Sequence, residues 1–118
     1  MVMQQYKGSC HCSAIRFSFE AEPITRGIRC NCSFCSKRGA MVSLVPGDKF
    51  KIDAHEGALN FYQFGKRQTK HYFCKTCGIH TYSEATRWPG QYMVNLGCVD
   101  GVDTFALETT VFDGRNLL

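Results

Sequence analysis

Long hydrophobic runs are absent from this sequence, and no stretch approaches the roughly 20 apolar residues that span a bilayer. The first residues, Met-Val-Met-Gln-Gln-Tyr-Lys-Gly-Ser, lack the basic region and apolar run of a secretory signal. No window sustains the apolar spacing of an amphipathic helix of ordinary length. We therefore expect a cytoplasmic, mainly β protein that makes no contact with a membrane.

A strong charge of one sign is also lacking. Fourteen lysines and arginines face ten acidic residues, and the net charge of +4 is what an ordinary solvated surface carries. Neither an aromatic–basic RNA signature nor a zinc-finger helix accompanies this mild excess. We do not expect nucleic acid as a partner, and a non-catalytic binding module for nucleic acid or protein stays the alternative to an enzyme.

Cysteine, in contrast, is abundant, with eight residues in a chain of 118. A chain this short, expected to form one domain over residues 1–118, buries a smaller fraction of its surface than a large domain does. A covalent or metal cross-link would therefore help to stabilise it. An unexported chain keeps its thiols reduced, so clustered cysteines are expected to bind metal, with disulfides as the alternative.

Alternation with a period of two residues dominates the chain and predicts β structure. Ile15, Phe17 and Phe19 alternate with polar residues, as in a strand with one face in the core. Similar runs, separated by turn residues, occupy residues 40–45, 50–52, 59–64, 69–73, 92–96 and 104–112. We predict about seven short antiparallel strands. Helix is expected only as a turn at residues 33–37, capped by Ser33, and a second turn near residues 84–88.

Two cysteine pairs have the spacing of a closed zinc site. Cys10 and Cys12, two residues apart on extended backbone, point the same way and can offer both sulfurs to one ion. The turn Cys74-Lys-Thr-Cys77-Gly lets two thiolates converge, because glycine permits the tight backbone. Two such pairs complete a tetrahedron with Zn–S distances of about 2.3 Å. These four cysteines are therefore predicted to form a structural zinc site.

A second cluster supplies three possible ligands within six residues, at Cys30, Cys32 and Cys35. Three protein ligands with an open fourth position are the pattern of catalytic zinc, and a soft thiolate site accepts an incoming thiolate. We expect zinc as the cofactor in two sites, of which the three-cysteine site loses its ion more easily, and a small thiol as the substrate. Other partitions stay open, such as one of these cysteines pairing with Cys74 and Cys77.

Isolated residues carry weaker signals. Cys98 is expected to be a small buried apolar residue, and His80 to be structural, a reserve ligand or a general base. Lys37 and Arg38 directly follow the second cluster, where they form a solvated basic pair or meet the carboxylates of a tripeptide. His71 lies in a strand-like segment and carries no special signal.

At its cysteine clusters the sequence resembles the glutathione-dependent formaldehyde-activating enzyme family, which also contains the centromere protein V group. The matching stretches, in the same order and with the same gaps, are Gly-Ser-Cys10-His-Cys12-Ser-Ala-Ile-Arg-Phe, Cys30-Asn-Cys32-Ser-Phe-Cys35-Ser-Lys-Arg-Gly-Ala and Phe-Cys74-Lys-Thr-Cys77-Gly78. The chain departs from the pattern at Ser13, where glycine is usual, and in the Ile-His-Thr-Tyr segment after Gly78.

The resemblance implies a β-tent fold, in which two antiparallel sheets lean together and are pinned by zinc. It assigns the structural zinc to Cys10, Cys12, Cys74 and Cys77, and the catalytic zinc to Cys30, Cys32 and Cys35. The named reaction of the family joins formaldehyde and glutathione reversibly into S-hydroxymethylglutathione. We therefore expect a zinc-dependent carbon–sulfur lyase that acts on a thiol adduct, although a shared fold does not fix the substrate.

A third hypothesis is a methionine sulfoxide reductase of the same tent fold, in which Cys98 would be the nucleophile. The residues around Cys98 do not resemble the catalytic segment of that family.

Overall fold

A computed structural model of the protein describes residues 2–117. Within this range the strands are β1 (Gln4–Ser9), β2 (Ile15–Ala21), β3 (Arg26–Cys30), β4 (Val42–Pro46), β5 (Phe50–Ala54), β6 (Leu59–Tyr62), β7 (Thr69–Cys74), β8 (His80–Ala85), β9 (Gln91–Asn95) and β10 (Glu108–Phe112). The helices are α1 (Ser33–Arg38) and α2 (Gly114–Leu117), and 3₁₀ turns span Gly47–Lys49 and Leu96–Cys98. The mainly β fold with two sheets is confirmed. No helix in the described range is long and apolar enough to cross a membrane.

The smaller sheet has three antiparallel strands in the order β1-β2-β5. The alternation predicted for β2 is confirmed, because Ile15, Phe17 and Phe19 are all buried while Arg16 and Glu20 are exposed. This strand lies between the other two and turns its aromatic face toward the second sheet, so it supplies a large part of the core.

The larger sheet has seven strands in the order β10-β3-β4-β9-β8-β7-β6. All neighbouring strands are antiparallel except β10, which pairs with β3 in parallel. Its inner face packs on the smaller sheet through side chains such as Val45, Tyr82 and Val94. The opposite, outer face carries the candidate site, next to α1 and the C-terminal ends of β3 and β10.

Several local predictions are wrong. Strands β1, β3 and β8 were not expected, because their polar residues and Gly27 break the apolar alternation; a side chain at Gly27 would collide with Met41. Residues 84–88 do not form a helical turn, since Glu84 and Ala85 end β8 and the chain then turns into β9. Helix α1 is present as predicted, but its N-cap is Cys32 rather than Ser33.

Candidate functional site

Four cysteine sulfurs meet where the two sheets approach each other. Cys10 and Cys12 lie in the β1–β2 turn, whereas Cys74 and Cys77 lie at the end of β7 and in the turn that follows. The Sγ atoms of Cys10 and Cys12 are 3.7 Å apart, and those of Cys12 and Cys74 are 3.6 Å apart. A zinc tetrahedron with Zn–S distances of about 2.3 Å has sulfur–sulfur edges of about 3.8 Å. The donor set therefore fits zinc.

Backbone amides orient this four-cysteine cluster. The amide of Ile15 donates to Cys10 Sγ at 3.4 Å, and that of Thr76 donates to Cys74 Sγ at 3.3 Å. Gly78 has a φ of 79°, which glycine adopts at no steric cost. Desolvation opposes the ionisation of Cys77, but amide donors lower its pKa to about 6. These amide donors thus favour the thiolate form of Cys77.

The sulfurs of the second cluster all lie within 4.8 Å of one another. Cys30 ends β3, Cys32 caps α1 and Cys35 lies inside the helix. The amide of Cys35 donates to Cys32 Sγ at 3.3 Å, and the amide of Cys32 donates to Cys30 Sγ at 3.5 Å. All eight cysteines are free, so neither cluster is a disulfide.

Arg38 extends inward from α1 and contacts the second cluster. Its Nη2 donates to Cys35 Sγ at 3.4 Å, and its Nη1 lies 3.1 Å from His80 Nε2. Ser83 Oγ lies 3.4 Å from Arg38 Nη1, 3.0 Å from His71 Nδ1 and 2.8 Å from His80 Nε2. Together, Arg38, His71, His80 and Ser83 form a polar cluster, named here the Arg38 cluster, directly behind the three sulfurs.

The two imidazoles of the Arg38 cluster are neutral at pH 7. Burial, followed by the nearby charge of Arg38, lowers the pKa of His71 to about 4 and that of His80 to about 3. Burial also raises the pKa of the Cys35 thiol to about 12, although Arg38 opposes this shift. Holding Cys35 as a thiolate at neutral pH therefore requires a further positive charge, which a divalent ion supplies.

A β-bulge brings His80 into the Arg38 cluster. Tyr72 pairs with Tyr82, but the next pair is Phe73 with His80, so Thr81 is an extra residue in β8. In a regular strand, residues three apart point to opposite faces. The bulge instead lets His80 and Ser83 point to the same face, where they contact each other.

The three cysteines line a cavity of about 130 Å³ on the outer face of the larger sheet. Most of its wall is apolar, with side chains from β3, β4, β9 and β10 and from the β8–β9 turn. Cys32 also lines a second, more open groove together with Lys37 and Arg115. The second cluster is thus accessible from two chemically different sides.

The remaining residues singled out in the sequence lie as follows. Cys98 is partly buried, its Sγ donates to the carbonyl of His80 at 3.5 Å, and burial raises its pKa to about 11, which suits a structural thiol. Lys37 is exposed on α1, whereas Arg38 points into the protein and is not part of a solvated pair.

Sequence reasoning missed His71, Ser83 and Phe34. The ring of Phe34 stacks on His71 with centroids 4.1 Å apart and so closes the solvent side of the Arg38 cluster. These residues come from β7, β8 and α1, and no local spacing relates them. Only the order of strands in the sheet brings them together.

The fold and site define a small two-sheet β protein with two separate thiolate clusters, each able to hold a metal ion. The chain belongs to the glutathione-dependent formaldehyde-activating enzyme family, whose model matches residues 5–115. It is also similar to the crystal structure of a protein from Rhodobacter sphaeroides, with 35% sequence identity and a TM-score of 0.78. That similarity covers 88% of this chain and 99% of the other.

Proposed function

We propose that this chain is a zinc-dependent carbon–sulfur lyase that forms and cleaves the adduct of a small thiol with an aldehyde. Glutathione and formaldehyde are the pair suggested by the family. A structural zinc would be held by Cys10, Cys12, Cys74 and Cys77. The catalytic zinc would be held by Cys30, Cys32 and Cys35. The observation that carries the proposal is that the three-cysteine cluster lines a cavity.

The chemistry joins the sulfur of the thiol to the carbonyl carbon of the aldehyde. The electron pair of the carbonyl π bond moves to oxygen, which takes up a proton, and the reverse reaction expels the aldehyde. Zinc, when bound, keeps a substrate thiol ionised near neutral pH. His71 and His80 are uncharged at this pH, so we assign the proton to solvent rather than to an imidazolium.

The residues of the chain have separate roles in this proposal. Arg38 donates to Cys35 Sγ and offsets part of the negative charge that three thiolates gather. Lys37 and Arg115 line the open groove beside Cys32, where they are suited to meet the carboxylates of a glutathione-like thiol. Reduced cysteines in both clusters also suit a reducing compartment such as the cytoplasm.

The direct test follows exchange between S-hydroxymethylglutathione and its two components by NMR, with zinc-loaded protein. We expect exchange faster than in buffer for the unmodified protein and for Cys98→Ser, which changes a cysteine outside both clusters. Cys32→Ser should abolish the acceleration. An exchange rate equal to that of buffer, measured on protein with both zinc ions bound, would contradict the proposed reaction with this substrate pair.

A further inference from the structure

Part of the outer face of the larger sheet, along β3, β4 and β9, is apolar, although it lies away from the core. An antiparallel sheet with one packed face usually presents polar side chains on the other. Here Val42 and Leu44 of β4 point outward, beside their cross-strand partners Ile28 and Met93. Packing against the second sheet does not explain these four apolar side chains, because this face does not contact that sheet.

Two aromatic residues form a side wall of the cavity above this apolar part of the sheet. Trp88, in the β8–β9 turn, and Phe112, at the end of β10, pack edge to face with ring centroids 5.4 Å apart. The guanidinium of Arg87 lies over both rings, at 5.7 Å from Trp88 and 5.3 Å from Phe112. This wall and the sheet line the same cavity as Cys30 and Cys35.

The size of the cavity limits what it can hold. An apolar cavity of about 150 Å³ holds a molecule the size of benzene, so the 130 Å³ here suits a group of about six carbon atoms. Formaldehyde, with one carbon, would leave most of this space unfilled. A charged tripeptide such as glutathione is too large for it and would lose hydration against its apolar walls.

We propose that this cavity binds the alkyl chain of a hydrophobic aldehyde, and that such an aldehyde is the preferred carbonyl substrate. This inference rests on the proposed function, because it places the aldehyde carbon beside the same three sulfurs. The product is a hemithioacetal: one carbon–sulfur bond forms, the carbonyl π bond breaks, and its electron pair ends on an oxygen that is protonated from solvent. No oxidant or reductant takes part.

A homologous series of linear aldehydes tests this preference at nearly constant intrinsic reactivity. Each methylene that enters the cavity is expected to raise kcat/KM for adduct formation with glutathione about fourfold. The increase from acetaldehyde should continue to about hexanal and level off once the cavity is full. A kcat/KM that is flat or falls along the series would overturn the inference.

Binding has a readout independent of turnover, because Trp88 is the only tryptophan of the chain and lines the cavity. Titration with hexan-1-ol, an unreactive probe, should change the tryptophan fluorescence saturably, whereas methanol at equal concentration should not. Leu44→Phe should weaken hexan-1-ol binding about tenfold by filling space. Ile52→Phe, at an exposed position of β5, is the matched control and should bind hexan-1-ol as the unmodified protein does.

If Leu44→Phe does not fold, Leu44→Ala serves instead and should shift the optimum of the aldehyde series to longer chains. Acceleration of the formaldehyde reaction without acceleration by hexanal would overturn the inference and leave the proposed function standing. Saturable binding of hexan-1-ol without acceleration of any aldehyde would contradict the proposed reaction and support an apolar ligand site. Absence of binding by a folded, zinc-loaded protein overturns the inference.

Discussion

At the scale of single residues, Arg38 connects the two parts of the candidate site. Its guanidinium touches Cys35 Sγ on one side and the neutral rings of His71 and His80 on the other. Burial lowers the pKa of Arg38, and the nearby cysteines oppose this shift. A buried cation is stable only next to negative charge, so Arg38 and the three-cysteine cluster depend on each other.

Replacing Arg38 should therefore weaken metal binding at one site only. We expect Arg38→Met to lower the zinc affinity of the three-cysteine cluster about 10- to 100-fold, as loss of a partner behind a metal ligand does elsewhere. Zinc in the four-cysteine cluster should stay bound. Competition with a chromophoric chelator, which resolves a weak and a tight zinc, measures both affinities.

Lys37→Met is the matched control, since Lys37 is a neighbouring cation on the exposed side of α1. It should leave both zinc affinities unchanged. Arg38→Lys keeps the charge but not the planar set of donors, so it should give an intermediate affinity. Two equally tight zinc ions in Arg38→Met would show that Arg38 does not support the site.

At the scale of elements, β8 carries two buried hydroxyls with opposite surroundings. Ser83 Oγ contacts Arg38, His71 and His80, whereas Thr81 Oγ1 is buried without a hydrogen-bond partner among residues 2–117. Both residues belong to the segment that the β-bulge reorganises. A buried hydroxyl without a partner costs stability, and a satisfied one contributes to it.

Substitution of these two hydroxyls should change the free energy of unfolding in opposite directions. Thr81→Val keeps the shape of the side chain and removes the unpaired oxygen, so it should raise the free energy of unfolding by about 1 kcal/mol. Ser83→Ala leaves three polar neighbours with one partner fewer and should lower that free energy by about 1–3 kcal/mol. Urea unfolding of the zinc-loaded proteins measures both changes, and equal losses for the two variants would refute this view of the bulge.

At the scale of the whole molecule, the four-cysteine cluster joins the two sheets. Cys12 and Cys74 are 62 positions apart in the chain, yet their sulfurs are 3.6 Å apart. Cys10 and Cys12 follow β1 of the smaller sheet, whereas Cys74 ends β7 of the larger sheet and Cys77 lies in the turn after it. A metal here closes a long loop, and because the unfolded chain cannot preform the site, binding free energy becomes folding free energy.

The two cysteine clusters should therefore respond differently to substitution. Cys74→Ser should lose the structural zinc and much of the native β signal in circular dichroism, because the link between the sheets is broken. Cys32→Ser should stay folded, retain one zinc per chain and lose activity. Cys98→Ser, outside both clusters, should retain two. A folded Cys74→Ser protein with unchanged thermal stability would contradict the structural role of the first cluster.

The sequence by itself determined the features that depend on short spacing. Alternation along β2 gave the buried aromatic face, because successive side chains of a strand point to opposite sides. The spacings within Cys10–Cys12 and Cys74–Cys77 fix how nearby sulfurs converge, and the sulfurs of each predicted set do lie together. The order of the cysteine clusters was also enough to indicate the family.

Tertiary structure alone decided the surroundings of the three-cysteine cluster. The side on which His80 points depends on one extra residue in β8, and the inward course of Arg38 depends on partners 33 to 45 positions away. The apolar cavity likewise arises because β3, β4 and β9 become neighbours in the sheet. Local patterns cannot encode these contacts, since they are set by strand order and packing between residues distant in sequence.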